Sequence, residues 1–403
     1  MTDENKQIEN IAVVPQAILV SSSGNEEAKK TRLQNFKEVC HKWLYIEDDT
    51  FIDVLFGVVF ANRLDAEPLW LYLVGVPGAG KTEIVQTWDG HSSIYSLTTL
   101  TPHTLISGKI LDAGEQDPSL LPKLDGKVLV IKDFTVILKG RPENTSEILG
   151  QLRDAYDGES RAVFGTGKDE IYKSKFGIVA AVTEEIYNHL RLLSSLGERF
   201  LIYHLQFSEK ERTARTRIAA ENRPMEKQAQ ELKKASHDVL SMKIGPSTFP
   251  KELHEEVANL AELVAQARTE TIRDRNTKEI LNLPYAEVAT RLVKQLVGLA
   301  QGIAMVREKP EVTKDEIASI TKVAMDSIPP MRLEVLCFLK EIYPNSTTIH
   351  AIAEKIRVGD SVIKRILGDL YALRIIDKKK AEKVTDPDDW KLAEKYKSSL
   401  DMI

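Results

Sequence analysis

Gly75 to Glu83 reads GVPGAGKTE, a glycine-rich loop closed by lysine and threonine at the spacing G-x-x-x-x-G-K-T. Glycines in such a loop let successive backbone N–H groups turn inward around the β- and γ-phosphates of a nucleotide. Lys81 adds a point charge to those phosphates, and the Thr82 hydroxyl is a ligand for Mg²⁺. Gly75, Pro77, Gly78, Ala79, Gly80, Lys81, Thr82 and Glu83 therefore form a candidate site for ATP and its metal. The run LWLYLV comes before the loop and a helical pattern follows it, which is the context this chemistry requires.

Hydrolysis needs more than a phosphate loop: an acid on a neighbouring strand, a residue that positions water, and positive charge near the γ-phosphate. The run KVLVIKDFT, Lys127 to Thr135, supplies the acid in an unusual form. Two successive acids are the usual ending, one for the metal shell and one for water. Here Lys132 comes first and Asp133 second. Either Asp133 is the metal-side acid, one residue late, or it holds the water-polarising position and the metal-side acid is missing. Glu83 and Asp154 are the next acids to consider. Thr183 ends GIVAAVT, where a polar side chain can reach the γ-phosphate or the attacking water. Arg199, opening the strand RFLIYHL on the far side of the sheet, is expected to face outward and enter a neighbouring subunit's site. Arg291, at the start of a later helix, is expected to reach back over the nucleotide.

The elements that must position these residues can be read from periodicity. PLWLYLVG, KVLVIKDF, FGIVAAVT and RFLIYHL are short continuous apolar runs separated by helical segments. They predict an α/β fold whose parallel sheet is covered on both faces. Residues 30–62 have helical spacing, and residues up to 29 read as a flexible tail. Residues 30–207 form the expected nucleotide-binding domain. Residues 208–328 follow as a highly charged helical stretch and an α-helical lid, with helices expected over Lys251–Arg268, Tyr285–Arg307 and Thr313–Ser327. After Pro329 and Pro330, residues 331–380 read as three helices, and 381–403 as a charged tail. Within that unit, Asp360 or Ser361 caps a helix whose Val362, Ile366 and Leu370 point inward, while Ser361, Lys364 and Arg365 lie away from the apolar stripe, free for DNA phosphates or bases. That is helix-turn-helix geometry, with LRIIDKKK beginning a wing. VFGTGKDEIY reads as a hairpin with Lys168 near its tip, a second candidate DNA contact.

Composition limits the partners. The 403 residues are 42% hydrophobic with a net charge of −5, which describes a soluble globular protein and not a basic coat for nucleic acid. No apolar run approaches the roughly 20 residues a membrane-spanning helix needs, and the start MTDENKQIEN has no secretory character. Cys40 and Cys337 are the only cysteines, without disulfide or zinc spacing, so a reducing cytoplasm is expected.

The order of these parts resembles the AAA+ ATPases from roughly Asp53 to Ser327. Within them it looks most like the branch of the minichromosome-maintenance helicases and related ATPases of mobile elements. ILGQLRDAYDGESRAVFGTGKDEIYKSKFGIVAAVT and TRLVKQLVGLAQGIAMVREKPEVTKDEIASI carry the likeness. The resemblance implies that Thr183 is the first sensor, Arg199 the arginine finger and Arg291 the second sensor. It also implies a homo-oligomeric ring, expected to be a hexamer, with Lys168 lining a DNA-tracking pore. Residues 331–380 resemble winged-helix domains. The sequence departs from the family in its KDF and in lacking a large N-terminal DNA-binding domain. The leading expectation is an ATP-hydrolysing motor on DNA, such as a helicase or replication-initiation ATPase. The alternative is an ATP-dependent switch or transcriptional regulator with slow turnover. A protein-remodelling ATPase is disfavoured, because no aromatic-hydrophobic pore loop is present.

Overall fold

The computed structural model describes residues 30–109, 115–164, 169–189, 199–221, 224–274, 276–379 and 388–401. The tail expected before residue 30 and the expected hairpin tip at Lys168 lie outside them.

Five parallel strands form the central sheet: β1 (Trp70–Gly75), β2 (Ile94–Leu97), β3 (Val128–Ile131), β6 (Gly177–Val182) and β7 (Phe200–Leu205), in the order β2-β3-β6-β1-β7. Every residue of β1, β3 and β6 is buried, as expected for strands covered on both faces. Alternation divides their side chains between two cores. Leu71, Leu73, Val128, Val130 and Val179 point to one core. Trp70, Tyr72, Leu129, Ile131, Ile178 and Ala180 point to the other. Strand β2 is the one the periodicity missed. It is four residues long, IYSL, and only Ile94 is fully buried.

The first core is covered by α1 (Arg32–Trp43), α2 (Thr50–Ala61) and α3 (Lys81–Gln86); the second by α4 (Pro142–Tyr156). A two-stranded antiparallel ribbon, β4 (Glu159–Val163) with β5 (Asp169–Lys173), lies between α4 and β6. Its described residues pair acid with base, Arg161 with Asp169 and Lys173 with Glu159.

The charged stretch after β7 becomes two helices. α5 (Glu209–Ala220) buries no residue, whereas α6 (Met225–Leu240) buries Leu232, Ala235, Val239 and Leu240 against the core shared with α1. Three helices follow: α7 (His254–Arg268), α8 (Thr290–Val306) and α9 (Lys314–Asp326). α8 begins at Thr290 and not at Tyr285, which is 88% exposed before it. Gly57 of α2 and Gly302 of α8 bring those helices into backbone contact, since a Cβ on Gly302 would lie 2.1 Å from the Gly57 carbonyl oxygen. β7 is an edge strand. Its Ile202 and His204 N–H groups donate to Ser327 Oγ at 3.1 Å and Asp326 Oδ2 at 2.8 Å, so the end of α9 closes that edge.

The last segment contains α10 (Pro330–Glu341), α11 (Ile349–Ile356), α12 (Asp360–Ala372) and an antiparallel ribbon, β8 (Ile376–Lys379) with β9 (Asp389–Leu392). Its boundary differs from expectation. Trp390, Leu392, Tyr396 and Leu400 are buried in the core, so residues 388–401 complete this unit and are not a tail. The N-cap of α12 is Gly359, and neither Asp360 nor Ser361 caps the helix. Asp369 of α12 accepts from Thr271 Oγ1 at 2.6 Å, Arg273 Nε at 3.0 Å and Arg332 Nη2 at 3.3 Å, which fixes α12 to the segment after α7. The described residues from Thr31 onward belong to one compact unit.

Candidate functional site

In a parallel sheet the carboxyl ends of the strands share one edge, and the loops leaving them converge there. Gly75 is level with Leu205 across β1 and β7, and Val74 with Val182 across β1 and β6. This register brings Lys81, Asp133 and Thr183 to the same edge.

The loop between β1 and α3 depends on glycine. Gly78 and Gly80 have φ of 78° and 75°, a left-handed conformation that side chains disfavour. Gly75 is needed for space, because a Cβ there would meet the Leu205 Cβ at 3.2 Å. Lys81 Nζ donates to the carbonyls of Gly75 and Val76, the latter at 2.9 Å, so the cation is held at the loop's base. Burial lowers its pKa, while the Asp133 and Glu184 charges favour the ammonium.

Asp133 is exposed and joined to Thr183 through one residue. Thr135 N–H donates to Asp133 Oδ1 at 3.0 Å. The Thr183 N–H donates to Thr135 Oγ1 at 3.1 Å, and the two threonine hydroxyls lie 3.3 Å apart. Buried Thr135 thus sets the positions of both the acid and the polar strand end. Beyond Thr183, Glu184 Oε1 lies 3.5 Å from His204 Nε2 of β7, which extends the polar edge past β1.

Lys132 points elsewhere. It continues the alternation of Val128 and Val130, toward the face that carries α3. There its Nζ donates to Asp89 Oδ2 at 2.7 Å, and Ser96 Oγ occupies Asp89 Oδ1 at 2.5 Å. Lysine thus occupies the direction in which a metal-side carboxylate would point. Asp133 is exposed and near enough to Lys81 for its charge to favour the ammonium.

Two expected positions need correction. Arg199 does not face outward: it is 7% exposed, and its Nη2 donates to both Asp157 oxygens at 3.2 Å. Its guanidinium lies 5.2 Å from the Tyr156 ring, and Arg291 lies 5.8 Å from the same ring. Tyr156 packs edge-on against Trp70, the first residue of β1, at 5.0 Å. Both arginines therefore sit at the amino end of the strands, about 16 Å of strand away from the phosphate loop. Arg291 cannot reach back over its own subunit's loop.

Arg215 was not found from the sequence. It extends from α5 to the loop, where its Nη1 donates to the Ala79 carbonyl at 3.3 Å. No local pattern shows that a charged helix more than 120 residues later folds back on the loop. Ser361, Lys364 and Arg365 are exposed on α12, on the side away from buried Ile366 and Leu370.

No protein-family profile matches the chain, and no curated protein is similar enough to count as a relative. The left-handed glycines, the inward lysine and the Thr82 hydroxyl fit a nucleotide phosphate chain. Thr82 and exposed Asp133 would be the protein donors for Mg²⁺ beside the nucleotide's own oxygens, since Lys132 is directed to Asp89. Among the described residues no helix is long and apolar enough to cross a membrane.

Proposed function

We propose that this chain is an ATP-hydrolysing AAA+ motor acting on DNA as a homo-oligomeric ring, in the manner of MCM-like helicases or the replication-initiation ATPases of mobile elements. One observation carries the reading: each subunit presents half of a site on each of two opposite edges. Lys81, Thr82, Asp133 and Thr183 lie at the carboxyl edge, while Arg199 and Arg291 lie together at the amino edge. Placing one subunit's amino edge on the next subunit's carboxyl edge would complete the site, and repeating that contact closes a ring. The strand order and the ribbon inserted before β6 support assignment to this branch.

In this reading the loop amides and Lys81 bind the phosphates, and Thr82 would help hold a Mg²⁺ that would supply further positive charge to them. Asp133, oriented by Thr135, accepts the proton of the attacking water, and Thr183 positions that water. The three helices and ribbon of residues 330–401 act as a winged helix, offering Ser361, Lys364 and Arg365 to DNA.

The Lys132–Asp89 pair favours a second reading, an ATP-dependent switch with slow turnover, because it withholds a metal-side carboxylate. ATP hydrolysis measured with and without single- and double-stranded DNA, alongside strand displacement, separates the two. DNA-stimulated hydrolysis with unwinding supports the motor. Nucleotide binding without turnover supports the switch.

A further inference from the structure

The positive charges expected to serve the nucleotide, Arg199 and Arg291, lie at the wrong edge to act within their own subunit. One arginine does reach the loop in the same chain. Arg215 sits midway along α5, a helix that buries none of its residues. Its guanidinium stacks 4.0 Å from the Phe207 ring centroid, which fixes its plane. A Cβ on Gly80 would lie 3.2 Å from Arg215 Nη1, so the group rests directly against the loop.

Its hydrogen bonding is incomplete. A guanidinium has five N–H donors in a rigid fork. Among the described residues Arg215 makes one hydrogen bond, to Ala79 O at 3.3 Å, and its Nε is buried without an acceptor. Burial lowers its pKa, the Glu83 and Glu211 charges oppose this in part, and neither glutamate accepts a hydrogen bond from it. A half-buried, oriented and under-partnered fork beside a phosphate loop suits a phosphate oxygen.

Position along the sheet shows which phosphate. Asp133 and Thr183 mark the γ-phosphate end and follow β3 and β6, on one side of β1. Arg215 comes from the other side, beyond β7. There a cleft that Arg215 itself lines, apolar at Ile46, Phe51 and Phe207 and acidic at Glu47, Asp48 and Glu211, adjoins it. It therefore meets a nucleotide at the end nearer the sugar.

We infer that Arg215 is a nucleotide-binding residue acting within its own subunit, its guanidinium donating to the proximal phosphates of a nucleoside di- or triphosphate seated on the loop 76–80. The inference rests on the nucleotide-binding reading of Gly75–Thr82.

Calorimetric titration of the full chain with MgADP and with a slowly hydrolysed Mg-bound ATP analogue tests it, using wild type, Arg215→Ala, Arg215→Gln and Lys81→Ala. Both Arg215 variants should bind both nucleotides on the order of 10- to 100-fold more weakly, by the same factor, with an unchanged melting temperature in the absence of nucleotide. Wild-type affinity in both variants would overturn it. So would weakening of the triphosphate alone, which moves the contact to the γ-phosphate. A loss confined to Arg215→Ala, with a lowered melting temperature, would make Arg215 a packing residue of α5 and overturn it too. If wild type binds neither nucleotide, or Lys81→Ala binds normally, the phosphate-loop reading itself fails.

Discussion

Lys132 Nζ and Asp89 Oδ2 are 2.7 Å apart, so the lysine that breaks the expected pair of acids is bound to the turn after α3 and directed away from Asp133. Both partners are partly exposed, at 28% and 36%, and such pairs contribute about 0–1 kcal/mol. Lys132→Ala should therefore cost less than about 1 kcal/mol in chemical denaturation. It should leave ATP turnover within about twofold of wild type, since the ammonium touches neither Asp133 nor Thr183. Asp133→Asn should reduce turnover by about 100-fold or more while sparing nucleotide affinity. Steady-state hydrolysis beside nucleotide titration checks both. Unchanged turnover in Asp133→Asn would mean that the acid comes from elsewhere, with Glu83 to be tested next, because Asp154, two residues before Tyr156 on α4, lies at the amino edge.

A buried ion network joins α2 to the end of α8 and the start of α9. Asp53, 2% exposed, is 2.6 Å from Lys37 Nζ and accepts from Arg307 Nε at 3.1 Å. Arg307 also pairs with fully buried Glu316, which lies 3.0 Å from Lys309 Nζ. Burial alone would raise the Glu316 pKa, but hydrogen bonds from Thr313, Arg307 and Lys309 bring it below the ordinary value of 4.5. A depressed folded-state pKa contributes stability above the unfolded value and loses it as pH falls through the folded one. Glu316→Gln should thus cost about 1.5–3 kcal/mol at pH 7, a gap that closes as pH drops below 4.5. Urea denaturation of both proteins across that range measures the gap. The same difference at pH 3 and pH 7 would assign the effect to packing.

Gly302 allows α8 to lie on α2. An added Cβ would lie 2.1 Å from Gly57 O and 2.7 Å from Ala61 N, both backbone atoms that cannot rotate aside. Gly302→Ala should destabilise the protein by about 1–3 kcal/mol or more, through forced separation of the helices. Gly298→Ala on the same helix meets nothing within 4 Å and serves as the control. Equal denaturation midpoints for the two variants would count against the close approach.

Local order was legible in the sequence, and relations across space were not. Continuous apolar runs marked β1, β3, β6 and β7, because a sheet buried on both faces needs no polar alternation. β2 escaped because four residues at the sheet's outer edge bury too little to leave a pattern. The phosphate loop was readable because its strand, glycines and lysine are contiguous. The burial of Arg199 is not legible because its partner, Asp157, is 42 residues away. The helix of Arg291 is legible but the end of the sheet it meets is not, since periodicity does not say where a helix docks. Arg215 left no signal, because what distinguishes it is contact with a loop far earlier in the chain.

The two-edge arrangement makes a prediction about mixtures. Lys81→Ala should abolish hydrolysis by disabling the carboxyl edge, and Arg199→Ala by disabling the amino edge. If the edges belong to different sites in a ring, an Arg199→Ala subunit keeps an intact loop, and a Lys81→Ala neighbour supplies an intact arginine. Equal mixing should then restore activity at about a quarter of the subunit contacts, the fraction in which those two neighbours meet in the productive order. Reaching that site would require Arg199 to leave Asp157, to which it donates at 3.2 Å, so Asp157→Asn should ease the release and not impair hydrolysis. The measurement is the hydrolysis rate of premixed, reassembled variants against each variant alone. A mixture no more active than the sum of its inactive parts would mean that the arginine serves its fold, held between Asp157 and Tyr156, and not a neighbour's nucleotide.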